Sequence, residues 1–194
     1  MYRFISLLIV FTIISYTYGQ VKIDAKNVMI LNGEAATKQD WLTHTNTENN
    51  ITVKYPANWK LKTTGEKTIF MLTAPAENES DMFRENINLI VRQLPNGGEG
   101  VKMEDIAKAV EDKIPTAVDN FVLHYSKAIK WLGADAKEVA YGGNSKNSGM
   151  AVNFIQRITI SKGRLVLATY TYEGARDDIY KKTALIIIDN IKCN

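Results

Sequence analysis

Residues 164–172 read Arg164-Leu165-Val166-Leu167-Ala168-Thr169-Tyr170-Thr171-Tyr172, with Lys162-Gly163 before them and Gly174 shortly after. A strand with one wet face alternates apolar and polar side chains. The first half of this stretch does not alternate: it is apolar on both faces, which predicts a central strand covered on both sides. The fold must therefore be layered, with other strands beside this one and packing elements above and below it.

The neighbours can be read outward from there. Lys162-Gly163 is a tight hairpin signal, which makes Gly149–Ile160 an antiparallel partner, and Asn147-Ser148 signals another hairpin before it. Phe121–Ile129 and Ala136–Tyr141 read as further strands. Upstream, Ile51, Val53 and Tyr55 alternate with Thr52 and Lys54 until Pro56, which has no amide hydrogen for a ladder. Trp59 and Leu61 resume an apolar face, Gly65 turns the chain, and Thr68–Ala74 is a strand stopped by Pro75. Glu85–Gln93 places Ile87, Leu89 and Val91 on one face.

Two segments change period. Met103, Ile106, Ala107, Val110, Ile114, Ala117 and Val118 follow one helix face, with Glu104 and Asp105 in the first turn and Pro115 predicting a kink or an end near Ile114. Tyr180, Ala184, Ile187, Ile188 and Ile191 share the face of a second helix, with Asp177 and Asp178 in its first turn. The expectation is an α+β domain: a mostly antiparallel sheet of about six to seven strands flanked by helices. No βαβ rhythm points to a parallel sheet.

The N-terminus reads as an export signal. Arg3 precedes an apolar run, Phe4–Ile14, that would cover about 16 Å as a helix against the roughly 30 Å of a bilayer core. Thr17 and Gly19 are small residues at cleavage-site spacing, which places cleavage after Gly19. The expected organisation is a signal peptide at 1–19, a leader at 20–40 containing the short apolar piece Val28–Leu31, and one domain at 41–194. The Gly-Gln ending looks bacterial, and the predicted location is secreted or periplasmic. Cys193, at the far end, cannot be a lipid-attachment cysteine, and alone it makes no intramolecular disulfide.

Composition narrows the chemistry. Loss of Arg3 with the signal leaves 23 Lys and Arg against 21 Asp and Glu, interspersed. No basic stripe supports nucleic-acid binding, and no stretch of the mature chain is long and apolar enough for a membrane span. Two distant histidines, His44 and His124, with Cys193 do not make a zinc set. His124 and Ser126 fall two apart on one strand face but have no oxyanion motif beside them. Glu77, Glu79, Asp81 and Glu85 lack the pattern of a calcium loop. Gly97, Gly98 and Gly100 lack the Lys-Ser/Thr of a phosphate cradle and read as turn residues. Tyr55, Trp59, Tyr141, Tyr170 and Tyr172 are candidates for a ligand pocket or for the core. No catalytic, cofactor-binding or metal-ligating residue is assigned.

Four segments together resemble the PsbP/Mog1/DcrB-like superfamily. They are Tyr55-Pro56-Ala57-Asn58-Trp59; Arg84-Glu85-Asn86-Ile87-Asn88-Leu89-Ile90-Val91; Leu132-Gly133-Ala134-Asp135 running on to Tyr141; and Lys162-Gly163-Arg164 leading into Leu165–Thr171. Their order spans roughly residues 45–192, while the ending at Asp189–Cys193 departs from the superfamily's Ile-x-x-Ser-Phe. The resemblance implies an α/β/α sandwich and a protein that works by binding other proteins. The function expected is an exported, non-enzymatic binding or accessory protein whose partner is another protein of the cell envelope. The alternatives are a carrier for a small apolar ligand held between sheet and helices and, last, a hydrolase.

Overall fold

A computed structural model of the chain describes residues 40–63, 68–174 and 178–194. The expected signal peptide at 1–19, the expected leader up to residue 39 with Val28–Leu31, the Gly65 turn and Asp177 lie outside the described residues. The strands in chain order are β1 (Trp41–Asn46), β2 (Ile51–Pro56), β3 (Lys60–Lys62), β4 (Thr68–Thr73), β5 (Asn86–Gln93), β6 (Val118–Trp131), β7 (Ala134–Ser145), β8 (Ala151–Ser161), β9 (Arg164–Glu173) and β10 (Lys192–Cys193). Helix α1 spans Met103–Glu111 and α2 spans Lys181–Asp189.

The apolar strand is where its composition requires. β9 lies inside a seven-stranded antiparallel sheet of order β3-β4-β5-β9-β8-β7-β6. Its side chains divide between two cores. Val166, Ala168 and Tyr170 join Ile87 and Leu89 of β5, Val53 of β2, and Ala184, Ile187 and Ile188 of α2. Leu165 and Leu167 join Ile158 of β8, Val139 and Tyr141 of β7, and Ile106 and Val110 of α1. Each helix thus lays one apolar stripe on one face of the sheet, and each fully buried aliphatic side chain contributes about 1.5–3 kcal/mol. This is the α+β architecture with a mostly antiparallel sheet.

A second sheet of three strands, β1-β2-β10, shares the α2 layer. β1 and β10 were not legible as strands, because β1 is largely exposed and β10 is two residues long. The C-terminus is tied down by β10 against β2 and by Asn194 N–H to Asn50 O at 2.8 Å.

Three boundaries differ from expectation. α1 stops at Glu111; Ile114–Thr116 is a separate 3-10 turn around Pro115, and Val118 already opens β6. α2 begins at Lys181, so Asp178 precedes it; its Oδ1 accepts from Tyr180 N–H at 3.0 Å and from the Tyr170 hydroxyl at 2.7 Å, which turns the chain toward the helix. Asn147-Ser148 sits within a wider turn closed by Ser145 N–H to Met150 O at 2.8 Å, so it is not a two-residue hairpin.

Two true two-residue hairpins do form, at Leu132-Gly133 and Lys162-Gly163, with all four residues at positive φ (53°, 75°, 51° and 74°). That combination matches the right-handed strand twist. The two glycines differ in surroundings. A Cβ on Gly133 would meet nothing within 4 Å, whereas one on Gly163 would lie 2.6 Å from Gly97 O, because the Pro95–Gly98 turn packs on this hairpin and Leu94 N–H bonds to Gly163 O at 3.0 Å. Gly133→Ala therefore carries only the left-handed backbone penalty, about 1–2 kcal/mol, while Gly163→Ala should cost at least about 1 kcal/mol more. Urea unfolding of the two variants decides this, and equal losses would mean that the Gly97 contact relaxes freely.

Candidate functional site

β6 is one outer edge of the large sheet. It pairs with β7 on one side and, among the described residues, with nothing on the other. From Asp119 to Lys130 it is largely open to solvent, with Val122 at 54%, Leu123 at 53% and Tyr125 at 37% exposure. Two register shifts interrupt its ladder, between Asp119 and Val122 and between Leu123 and Tyr125. The first crosses Gly143, where a Cβ would sit 2.5 Å from Val118 Cγ2 and 2.6 Å from Asp119 O. A side chain there would push the bulge away.

The bulges decide which way the side chains of β6 point. Leu123 and Ser126 face the α1 side, where with Phe121, Ile114, Pro115 and Val139 they wall an open cleft of about 390 Å³. Its polar rim is a mutually satisfied trio: Ser126 Oγ donates to Glu111 Oε1 at 2.5 Å, and Lys137 Nζ stands 3.2 Å from the same oxygen. The Ser126 hydroxyl, with Lys137 beside it, outweighs partial burial and holds Glu111 below its ordinary value. Such a carboxylate is a weak general base for an alcohol.

His124 points to the opposite face. Its Nε2 lies 3.0 Å from Asn153 Oδ1, in a smaller hollow of about 230 Å³ that Asn120 and Val122 also line. Gly142 makes room for this pair, since a Cβ there would meet Asn153 Oδ1 at 2.3 Å. The expectation that His124 and Ser126 share a face is therefore overturned: the extra residue between Leu123 and Tyr125 puts them on opposite sides of the sheet.

A buried carboxylate pins the strand between the hollows. Glu138 of β7, 4% exposed, accepts from the Tyr125 hydroxyl at 3.0 Å and from Arg157 Nε at 2.6 Å, with Lys127 Nζ at 2.9 Å. Arg157 also pairs with Asp189 at the end of α2. Burial pushes Glu138 up, but Lys127 and Arg157 outweigh it and hold the carboxyl below 4.5. Burial together with Glu138 pushes the Tyr125 phenol up to about 12. β6 is fastened again at its end, where the Trp131 indole N–H donates to Ile188 O of α2 at 3.1 Å.

The five sequence-nominated aromatics lie elsewhere. Tyr55, Trp59 and Tyr170 are buried in the α2-side core with Tyr172 partly buried against it, and Tyr141 is buried in the α1-side core, stacked on Phe154 at 4.8 Å. None of the five lines the cleft or the hollow. Of the acidic loop, Asp81 accepts from the backbone of Glu77 and Phe83, and Glu85 is buried with its carboxyl raised by desolvation. Cys193 is half-buried in β10, and burial pushes its thiol up. The Glu111–Ser126–Lys137 rim was missed because its members lie far apart in sequence; only the fold joins them.

No protein-family model and no curated protein matches the sequence. Solved structures do. LpqN of Mycobacterium tuberculosis, described as involved in cell envelope biogenesis, superposes with a TM-score of 0.57 at 12% identity, covering 80% of this chain and 91% of that one. The PsbP protein of Synechocystis sp. PCC 6803, CyanoP, gives 0.53 at 15% identity, over 84% and 99%. A Bacteroides thetaiotaomicron structure gives 0.53 at 14% identity over 78% of this chain, which spans only about half, 48%, of that protein. At these identities the likeness speaks for the fold, and the fold is PsbP-like.

The Glu138 network makes a pH-dependent prediction. A carboxyl lowered by folding stabilises the native state fully above its unfolded value near 4.5 and loses that contribution as pH falls through the folded value. Glu138→Gln leaves Arg157 without its buried anion and should cost about 3 kcal/mol near neutrality. The gap between variant and wild type should close as pH drops below 4.5. A gap independent of pH in denaturant titrations would contradict this account.

Proposed function

We propose that this chain is an exported, non-enzymatic accessory protein that works by binding another protein of the cell envelope, with β6 as its docking region. One observation carries the reading: a fourteen-residue edge strand, unpaired on its outer side among the described residues, exposes Val122, Leu123 and Tyr125 beside a recessed apolar cleft. Large apolar side chains exposed along such an unpaired edge mark an interaction site. The cell-envelope connection of LpqN and the PsbP-like fold support the same class of role. The signal-like residues 1–19 support export, and no described helix is long and apolar enough to cross a membrane.

A second reading has one observation in its favour. The cleft lies between sheet and α1, is walled mainly by apolar side chains, and at about 390 Å³ falls in the range of small-ligand pockets. A small apolar ligand would copurify and appear in native mass spectra.

The test is photocrosslinking in intact cells, with benzoylphenylalanine at Leu123 and a control at Lys182 on the outer side of α2. Discrete protein adducts from position 123 and none from 182 are expected. Adducts absent from both, or a lipid adduct at 123, would overturn the protein-partner reading. N-terminal sequencing of the protein recovered from fractionated cells should begin at Gln20 outside the cytoplasm, and a cytoplasmic protein with Met1 intact would remove the export part.

A further inference from the structure

The two edges of the large sheet are built differently. β3 is three residues long and carries Lys60 and Lys62, both exposed. Short length and edge lysines are how proteins keep a sheet from pairing with strangers. β6 is fourteen residues long, and its two lysines are folded back onto its own sheet: Lys127 to Glu138 and Lys130 to Asp135 at 2.5 Å. Its middle, residues 120–126, carries no lysine and no acid. The short length and the solvent-facing edge lysines that protect β3 are therefore missing from the middle of β6, where only the two bulges interrupt the edge.

The cleft and the hollow both flank this same unprotected stretch, one on each face of the sheet. That is the geometry strand addition needs. In an added strand successive side chains point to opposite faces, so main-chain bonds give affinity and recesses for alternate side chains give specificity. We propose that β6 receives an extended segment of the partner protein as an eighth strand. Apolar side chains of that segment enter the cleft beside Leu123 and Phe121, and small polar ones face His124 and Asn153. This rests on the reading of β6 as the docking region and specifies how it docks.

The chemistry of the recesses selects the occupant. The charges on the cleft rim cancel, Lys137 against Glu111, so the cleft favours an uncharged apolar side chain. The hollow offers the His124 and Asn153 side chains to a hydrogen-bonding residue. A second copy of this chain fits less well. Ten residues of edge, about 33 Å long on a sheet about 10 Å thick, would bury on the order of 660 Å² in total, below the roughly 1,200 Å² of a stable interface. In a second copy Leu123 and Phe121 already wall a cleft of their own, so pairing β6 with β6 leaves both clefts unfilled.

The experiment selects random decapeptides displayed on phage against the mature protein, and synthesises the most enriched one in three forms: unmodified, and N-methylated at every second amide in either phase. Enriched sequences should carry apolar residues at every second position, shift the β6 amides in NMR spectra, and lose at least tenfold in affinity in one methylation phase but not the other. Leu123→Glu, at an exposed position, should also weaken binding at least tenfold while the spectrum away from β6 and the cleft walls stays unchanged. No enrichment, equal binding of all three forms, or shifts away from β6 would overturn strand addition. A concentration-dependent dimer that the peptide dissociates would overturn the choice of occupant in favour of a second copy. Protein adducts at position 123 alongside failed peptide selection would sink only the mode of docking. Peptide binding at β6 without cellular adducts would leave the mode standing and remove the envelope partner.

Discussion

The fold depends on β9 being buried on both faces. A strand with Leu165, Val166, Leu167 and Ala168 in succession has no side to give to water, so the chain must supply two covers. It does so with two short helices, neither long enough to be stable alone in water. α1 and α2 are each nine residues long and are held by the sheet rather than by their own propensity. Ala184, Ile187 and Ile188 of α2 are buried in the same core as Val166 and Tyr170 of β9.

Polar groups trapped in these layers are mostly answered, and the way they are answered links the core to the edge. On the α1 side Gln156 donates to Thr169 at 3.2 Å across β8 and β9. On the α2 side Arg157 joins Glu138 to Asp189, so β7, β8 and α2 share one charge network that also holds Tyr125 and Lys127 of β6. Asp178, raised by burial despite its bond from Tyr170, works in the opposite sense: its ionised form opposes folding, and protonation as pH falls favours the native state. Acid therefore weakens the edge network while relieving the turn before α2.

The layered α+β plan was legible from side-chain period alone, because β9, β5 and the helix stripes each bury a face that the sequence spells out. Local signals failed where geometry is set by a neighbour. Pro115 announced a break, but the end of α1 and the start of β6 depend on how Ile114 and Val118 pack. The bulges in β6 depend on Gly142-Gly143 in the opposite strand, and no alternation rule carries an extra residue across a ladder. Gly142-Gly143 itself was the available signal, since a glycine pair inside a strand marks close approach or a bulge. The five aromatics named from sequence as pocket or core candidates sit in or against the two cores; the cleft is walled instead by Phe121 with Ile114, Pro115, Leu123 and Val139, which no motif singles out.

The same bulges explain why an exposed edge can be tolerated. A flat fourteen-residue edge would invite indiscriminate pairing, but two irregularities twist β6 and break it into short ladder segments. What remains free is a stretch of about ten residues, interrupted by the bulges, whose middle aims its side chains into two separate recesses. A strand that pairs there gains backbone bonds only over a short length, too little to hold an arbitrary segment. The balance must come from side chains that fit both recesses. Selectivity at β6 is thus a consequence of its irregularity: a straight edge would bind more tightly and discriminate less.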